Sequence, residues 1–168
     1  LMTELLLAER VPHDGRVLVL GAGGGQELKA FAQARPGWRF VGVDPSSPML
    51  TLARDTLGPL ASRVEFIEGD IDAAPAEAFD GATCLLTLHF LTIEQRLHAL
   101  GQLRHRLKPG APLVVAHHSV PQAGDAKARW LDRYAAFAVS SGLPQADARR
   151  AAPAIRGGLP PVSPRPEG

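Results

Sequence analysis

Residues 17–27 read VLVLGAGGGQE, an apolar stretch that runs directly into a glycine-rich turn and then into polar residues typical of a helix start. A second apolar stretch at residues 40–43 ends in Asp44. A strand that breaks into glycines brings bare backbone close to a ligand, and an acid about 20 residues further on can bind ribose hydroxyls. These two stretches together predict a strand-turn-helix unit that holds an adenosine-containing cofactor.

The spacing of the glycines distinguishes two kinds of cofactor. Dinucleotide-binding turns follow GxGxxG, and their third glycine lets the helix pack beneath a pyrophosphate. Here the glycines are Gly21, Gly23 and Gly25, and Gln26 takes the place of the third fingerprint glycine. Glu27 adds a carboxylate that would compete with a pyrophosphate for the positive end of the helix. The turn favours a phosphate-free adenosine ligand, although glycines after a strand are also typical of any tight strand-to-helix connection.

Apolar segments alternate with helical patterns along the rest of the chain, which is typical of an α/β fold. Strands are expected at residues 16–20, 38–43, 63–67, 79–91 and 111–116, and helices at 26–34 and 47–57 and from Thr92 onward. Five strands joined by crossover helices predict a mostly parallel sheet with both faces covered, a three-layer αβα sandwich.

The helix after the fourth strand carries its own start signal. Thr92 is a plausible N-cap, and Gln95 three residues later completes a capping box. Leucines then recur at helical spacing, and we expect all of them to face the sheet. They are Leu97, Leu100, Leu103 and Leu107.

Three further segments follow strand ends. They are Pro45-Ser46-Ser47-Pro48-Met49, then Gly69-Asp70-Ile71, and finally Thr87-Leu88-His89-Phe90. In this order and spacing the chain resembles the class I S-adenosylmethionine-dependent methyltransferases over roughly residues 16–118, and the joint match is far more specific than any one motif. That family has a Rossmann-like fold whose fifth strand is normally followed by a helix and an antiparallel strand pair. We find no such pair in this sequence.

The resemblance implies a set of residues that bind S-adenosyl-L-methionine. They are Gly21, Ala22, Gly23, Gly25, Asp44, Pro45, Met49, Gly69, Asp70, Ile71, Thr87 and Leu88.

The roles that the resemblance implies differ along this set. The glycines would lie under the methionine part of the cofactor, where a side chain would occupy ligand space. Asp44 would accept hydrogen bonds from both ribose hydroxyls, and Met49 would pack on the adenine face. Asp70 would accept from the exocyclic amine, with the backbone of Ile71 beside it. The residues from Thr87 onward would border the sulfonium.

Candidates for catalysis are few. His89 follows the fourth strand near the expected methyl group and is a weak candidate for a general base, because a lone histidine is more often a polar contact. No metal site is expected, since the adjacent His117 and His118 would point to opposite faces of a strand. Cys84 lies in an apolar strand pattern and is expected to be a buried, inert thiol.

Length and composition predict one domain over residues 1–168, with a core at 16–118 and a helical, proline-rich tail at 119–168. The tail carries an apolar stripe, Trp130, Tyr134 and Phe137, for which core packing or a lid is expected. Because the chain starts at Leu1 and lacks the antiparallel pair, we expect the domain to be incomplete at both ends. An uncovered fifth strand would offer an edge for homo-oligomerisation.

Charge and hydropathy limit which partners and which cellular locations are expected. The formal net charge of +1 gives no electrostatic footprint for nucleic acid, although an RNA substrate is not excluded. No apolar run is long enough to span a membrane, and no secretory leader is visible. A bacterial, cytoplasmic protein that acts on a small-molecule acceptor is therefore expected.

The function that this sequence favours is methyl transfer from S-adenosylmethionine to a small or medium acceptor. The stretch LHFL at residues 88–91 and the helix after it also resemble carboxy-S-adenosylmethionine synthase and other enzymes of tRNA wobble-uridine modification. A nicotinamide-dependent oxidoreductase is disfavoured by Gln26 and by the absence of a Tyr-x-x-x-Lys pair. A non-catalytic cofactor-binding module is the remaining alternative.

Overall fold

The computed structural model describes residues 2–117, 124–140, 142, 144 and 145. Strands and helices alternate in the predicted order. The strands are β1 (Arg16–Leu20), β2 (Arg39–Asp44), β3 (Val64–Glu68), β4 (Gly81–Leu85) and β5 (Leu113–Ala116). The helices are α1 (Met2–Ala8), α2 (Gln26–Ala34), α3 (Ser47–Leu57), α4 (Ile93–His105) and α5 (Gly124–Ser140).

The five strands form one parallel sheet in the order β3-β2-β1-β4-β5, which confirms the predicted fold class. In the centre of the sheet, Leu18 of β1 lies between Val41 of β2 and Ala82 of β4. The strand order reverses between β1 and β4, so the connections that leave their carboxyl ends diverge. Open α/β sheets bind their ligands in the crevice that this divergence creates.

Helices cover both faces of the sheet. On one face Val19 and Phe40 pack with Phe31 of α2 and Leu57 of α3, and the rings of Phe31 and Phe40 are stacked with centroids 6.5 Å apart. On the opposite face Leu18 is also fully buried. Strands shielded on both faces explain why they appear in the sequence as nearly continuous apolar runs.

The chain divides into two compact units. The first comprises Leu1–Leu88 and Ile93–Ala116 and contains the whole sheet. The second comprises His89–Thr92 and His117–Gly168 and contains α5. The organisation of residues 1–168 as a single domain stays a prediction.

The predicted helix in the tail is confirmed as α5. Leu131 is buried, and the rings of Trp130 and Tyr134 are stacked with centroids 6.2 Å apart. Phe137 is 67% exposed, so the core packing expected for the apolar stripe does not extend to it. The proline-rich end of the tail lies outside the described residues.

The fourth strand is shorter than predicted. The sequence is apolar over residues 79–91, but β4 ends at Leu85. Leu86 has a φ of 55°, in the left-handed region, and Leu88–Phe90 forms a short 3-10 helix. A residue with positive φ breaks the extended backbone, and apolar composition alone does not reveal it. The other predicted strand bounds agree with the structure to within one or two residues.

The prediction that all four leucines of the fourth connection face the sheet is wrong for Leu97, which is 68% exposed. The helix begins after Thr92, as its start signal predicts. Its buried positions are Ala99 and Leu103, one turn apart. Leu97 precedes Ala99 by two residues, about half a turn, and therefore points away from this stripe.

The outermost strand on one side of the sheet is β5. Within the described residues it pairs with β4 alone, in register from Leu113 beside Ala82 to Ala116 beside Leu85. Its other edge carries no strand in that part of the chain. Among the described helices, none combines the length and apolar character that a membrane crossing requires.

Substitution of Gly25 tests the packing of the glycine turn against α3. Gly25 has a φ of 79°, and a Cβ there would lie 2.8 Å from the Cα of Ala53. We expect Gly25→Ala to lower the free energy of unfolding by roughly 2 to 4 kcal/mol, because neither backbone can move aside. Urea denaturation followed by circular dichroism measures this loss.

Gly101→Ala is the matched control. Gly101 lies within α4, and a Cβ there would meet nothing within 4 Å. We expect this variant to be more stable by roughly 0.5 to 1 kcal/mol, the helix preference of alanine over glycine. Equal effects in the two variants would contradict the packing role of Gly25.

Candidate cofactor-binding site

The glycine turn leaves β1 and is tied at once to the end of β2. The backbone N–H groups of Gly21 and Ala22 both donate to the carbonyl oxygen of Val43, at 2.8 and 3.0 Å. Gly21, Gly23 and Gly25 all have positive φ, at 81°, 48° and 79°. Three left-handed residues in five explain why this turn requires glycine.

The space around each glycine has a different occupant. A Cβ on Gly21 would lie 1.9 Å from Oγ1 of Thr87, and Gly25 packs against α3. Only at Gly23 is the space open, since the nearest atoms to a Cβ would be 3.9 Å away, one of them Cε of Met49. The expectation that side chains would occupy ligand space therefore fits Gly23, whereas Gly21 and Gly25 are required by contacts within the chain.

Asp44 ends β2 and connects two loops. Its Oδ2 accepts a hydrogen bond from the N–H of Gly23 at 2.9 Å, and its Oδ1 accepts one from the N–H of Ser46 at 2.9 Å. Each carboxylate oxygen has a second acceptor site. The side chain thus fixes the turn and still has the capacity for the two ribose hydroxyls that the resemblance implies.

The segment after Asp44 begins α3. Ser46 is the N-cap, and its Oγ accepts from the N–H of Met49 at 3.4 Å, a role for which serine is well suited. Pro45 is exposed between the strand and the cap. Met49 is 38% exposed, and its Cε borders the open space at Gly23. A flexible thioether there forms an apolar wall suited to an aromatic ring.

The end of β3 lies beside the end of β2. The N–H of Gly69 donates to the backbone oxygen of Asp44 at 3.1 Å. The Asp70 carboxylate caps the short helix Ile71–Ala73 by accepting from the N–H of Asp72 at 3.0 Å. Ile71 itself is buried. The Asp70 side chain is thus held by a local turn at the same edge of the sheet as Asp44.

The end of β4 closes the other side of the turn. Thr87 Oγ1 donates to the carbonyl oxygen of Leu85 at 3.1 Å and fills the space above Gly21. Leu88 is buried, and its carbonyl oxygen accepts from Nε of Arg96 at 2.7 Å. The predicted residues of β1 and β4 are therefore brought together at the point where the strand order reverses.

A buried hydroxyl and a partly buried carboxyl form a polar pair beneath the turn. The Oγ1 hydroxyl of Thr83, in the middle of β4, donates to the carboxylate of Glu27 in the first turn of α2. Burial raises the pKa of Glu27 to about 7, and the hydrogen bond from Thr83 opposes that rise. The sequence marked Glu27 only as unsuited to a pyrophosphate. The one signal for the pair is a threonine within the apolar run of β4.

Cys84 agrees with its predicted role. Its side chain is fully buried, and burial raises the pKa of its thiol to about 12, with a further contribution from the charge of Glu27. The thiolate is the reactive form of cysteine, so this thiol is inert near neutral pH.

The remaining candidates, His89 and His117, belong to the second compact unit. His89 is buried, belongs to the second compact unit and lies against Phe90, with ring centroids 4.2 Å apart. Its catalytic role stays a prediction. His118 lies outside the described residues. Within the described part of the chain, no group of three or more metal-ligating side chains is present.

The arrangement suits a phosphate-free adenosine cofactor. It combines an acceptor carboxylate at Asp44, open backbone at Gly23 and an apolar wall at Met49. The predicted binding residues include no lysine or arginine that would pair with a phosphate. The carboxylate therefore fits the ribose of S-adenosylmethionine, and the open space fits its methionine part.

The sheet order and this turn define the class I, Rossmann-like methyltransferase fold. A family model described as "Methyltransferase domain" matches residues 17–110, which include all the predicted cofactor-binding residues. The chain belongs to this family, whose cofactor is S-adenosylmethionine.

Similarity to individual proteins covers most of this chain but only part of the relatives. Demethylmenaquinone methyltransferase of Thermus thermophilus is 34% identical over 121 residues, which are 71% of this chain and 53% of that protein. Carboxy-S-adenosyl-L-methionine synthase of Wolinella succinogenes is 28% identical over 150 residues, which are 88% of this chain and 62% of that protein. The chain thus spans between one half and two thirds of these relatives.

A solved methyltransferase structure is also similar to this chain, and again over only part of its own length. CalO1, a methyltransferase in calicheamicin biosynthesis whose structure is an SAH-bound form, is 25% identical, with a TM-score of 0.56. The match covers 74% of this chain and 38% of CalO1. Membership of the methyltransferase family argues against the alternative of a nicotinamide-dependent oxidoreductase.

The buried carboxyl predicts a pH dependence of stability. The pKa of Glu27 is about 7 in the folded chain and 4.5 ordinarily, so only the folded chain holds this proton between these pH values. Its contribution to stability is complete below pH 4.5 and is lost as pH rises through 7. Relative to Glu27→Gln, we expect the wild type to lose up to about 3 kcal/mol over that window.

Urea denaturation of both proteins at pH 4.5, 6 and 8 measures this difference. Glu9→Gln, at an exposed residue after α1, is the control for the loss of a carboxylate at the surface. A constant difference between the wild type and Glu27→Gln across the three pH values would contradict a raised pKa.

Proposed function

We propose that this chain is the cofactor-binding part of an enzyme that transfers the methyl group of S-adenosylmethionine to a small or medium acceptor. The observation that carries the proposal is the Asp44 carboxylate, which is fixed by Gly23 and Ser46 beside open space at Gly23. Membership of the methyltransferase family supports the reaction type.

S-adenosylmethionine supplies an activated methyl group on a sulfonium. The residues of this chain bind and orient it: Asp44 accepts from the ribose hydroxyls, and Met49 lies against the adenine. Gly23 would leave room for the methionine part of the cofactor. Thr87 and Leu88 border the end where the methyl is transferred. Alignment of the donor with an acceptor supplies most of the catalysis in such a reaction, and a base is needed only where the acceptor must lose a proton.

Carboxy-S-adenosylmethionine synthesis is the second candidate. It is favoured by the similarity to the Wolinella succinogenes synthase, which extends over 88% of this chain. Mass spectrometry of the ligand released from the purified chain distinguishes the two, because the carboxylated cofactor is heavier by one carboxyl group. A chain that binds the cofactor but forms no product with any acceptor would instead support the non-catalytic module.

We propose His89 as a general base for acceptors that must lose a proton. Its buried imidazole directly follows Leu88, which borders the end of the cofactor that reacts. Once an acceptor is found, we expect His89→Gln to slow transfer by about 100-fold with cofactor affinity unchanged. Single-turnover kinetics and titration calorimetry measure the two effects. Equal losses in rate and affinity would reduce His89 to a binding contact.

The partners and compartment remain proposals. A small-molecule acceptor is supported by the near-neutral charge of the chain. A cytoplasmic location agrees with the lack of a membrane-spanning helix among the described residues, and the relatives named above are bacterial. Homo-oligomerisation through β5 is supported by its edge position in the described sheet.

Substitution of Asp44 tests the proposed cofactor site. We expect Asp44→Ala to weaken S-adenosylmethionine binding by roughly 100-fold or more, because two hydrogen bonds from ribose to a charged group are lost. The variant should also lose about 1 to 3 kcal/mol of stability, since the N–H groups of Gly23 and Ser46 lose their acceptor. Titration calorimetry and urea denaturation measure the two quantities.

Asp55→Ala is the control for this experiment, because Asp55 is exposed on α3. It should leave both quantities unchanged. Wild-type affinity in a folded Asp44→Ala protein would refute the ribose assignment.

A further inference from the structure

Glu27 is a partly buried acidic group that the proposed mechanism does not use. It lies two residues after Gly25, which is the N-cap of α2, and its carboxylate reaches across to the Thr83 hydroxyl on β4. Among the described residues, no basic side chain lies within 4.0 Å of this carboxylate. A partly buried carboxylate without a cation is costly to ionise, and within the described residues its charge is not compensated by a basic side chain.

The sheet order places Glu27 on the side of the turn opposite to Asp44. Asp44 ends β2, the turn follows β1, and Thr83 belongs to β4, on the far side of β1. Two strand spacings separate β2 from β4, about 10 Å. A ligand whose ribose is bound at Asp44 and whose chain passes over Gly23 therefore has its other end on the β4 side, where Glu27 lies.

We propose that Glu27 is the carboxylate that recognises the cationic amino-acid end of the cofactor and that it releases a proton to solvent when the cofactor binds. This inference rests on the proposed function. The ammonium and the sulfonium are both cations of that end, and either would supply the positive charge that the described part of the chain does not place at Glu27.

The direction of the pH dependence follows from the neighbours of Glu27. From β4 it is faced by the Thr83 hydroxyl, which does not titrate, and by the Cys84 thiol, whose raised pKa of about 12 keeps it neutral. The pKa of Glu27 itself is about 7, so the ionised fraction increases between pH 6.0 and 7.5. If only the carboxylate form binds, affinity increases about eightfold over this range.

Titration calorimetry of the wild type, Glu27→Gln and Glu9→Gln at pH 6.0 and 7.5 tests the inference. The ligands are S-adenosylmethionine, S-adenosylhomocysteine, which keeps the ammonium but lacks the sulfonium, and 5′-methylthioadenosine, which lacks both. We expect the eightfold rise for S-adenosylmethionine in the wild type and in Glu9→Gln, and a flat profile in Glu27→Gln. Methylthioadenosine should bind with no pH dependence in any variant. A rise for S-adenosylhomocysteine assigns the ammonium, and its absence assigns the sulfonium.

Two measurements separate this role from a structural one. The first is the number of protons that the wild type releases on binding, measured by calorimetry in two buffers of different ionisation enthalpy. It should approach half a proton at pH 7, and the measurement needs no variant. Thr83→Val removes the hydrogen bond that lowers the pKa of Glu27, so its affinity profile should move to higher pH. A purely structural carboxyl would change melting temperature and leave the shape of the profile unaltered.

The outcomes that overturn the inference are distinct from those that overturn the proposed function. Wild-type binding that is flat with pH, releases no proton or has the same profile in Glu27→Gln refutes the role of Glu27 and leaves the cofactor site intact. Failure of the folded wild type to bind any of the three ligands refutes the proposed function, and the role of Glu27 with it.

Discussion

The Asp44 carboxylate is the contact on which the site depends. One of its oxygens binds the N–H of Gly23 in the turn after β1, and the other binds the N–H of Ser46 at the start of α3. Gly23 and Asp44 are 21 residues apart in the sequence. The hydrogen bonds of Asp44 therefore fix the glycine turn and the start of α3 to the end of β2. A charged acceptor forms stronger hydrogen bonds than a neutral one, which suits a group that must hold backbone in left-handed conformations.

Contacts within the chain account for most of the glycine-rich character of the turn. Gly21 admits Thr87 from β4 and Gly25 admits α3, so two of the three glycines serve close packing at the crevice between β1 and β4. Gly23 alone faces open space. The turn lacks the dinucleotide spacing, yet its helix still packs closely against a neighbour. Gly25 permits this, because it lets the start of α2 approach α3.

Polarity at the site is distributed unevenly along the strand ends. Asp44 and Asp70 lie on the side of β2 and β3, where they are exposed or partly exposed and fixed by backbone N–H groups. Glu27 lies on the side of β4, partly buried, with a single hydroxyl as its partner in the described chain. A ligand with hydroxyls at one end and positive charge at the other matches this distribution. If the proposed site is right, the ligand is oriented by electrostatics as well as by shape.

The sequence by itself determined the fold class and the order of strands and helices along the chain, because apolar periodicity, glycines and capping residues are local signals. It also indicated Asp44 and the serine cap of α3. The end of β4 at Leu85, the outward position of Leu97 and the pairing of Glu27 with Thr83 were decided only by the tertiary structure. Each depends on which residues, distant in sequence, meet across the sheet, and such packing leaves little trace in the local pattern of side chains.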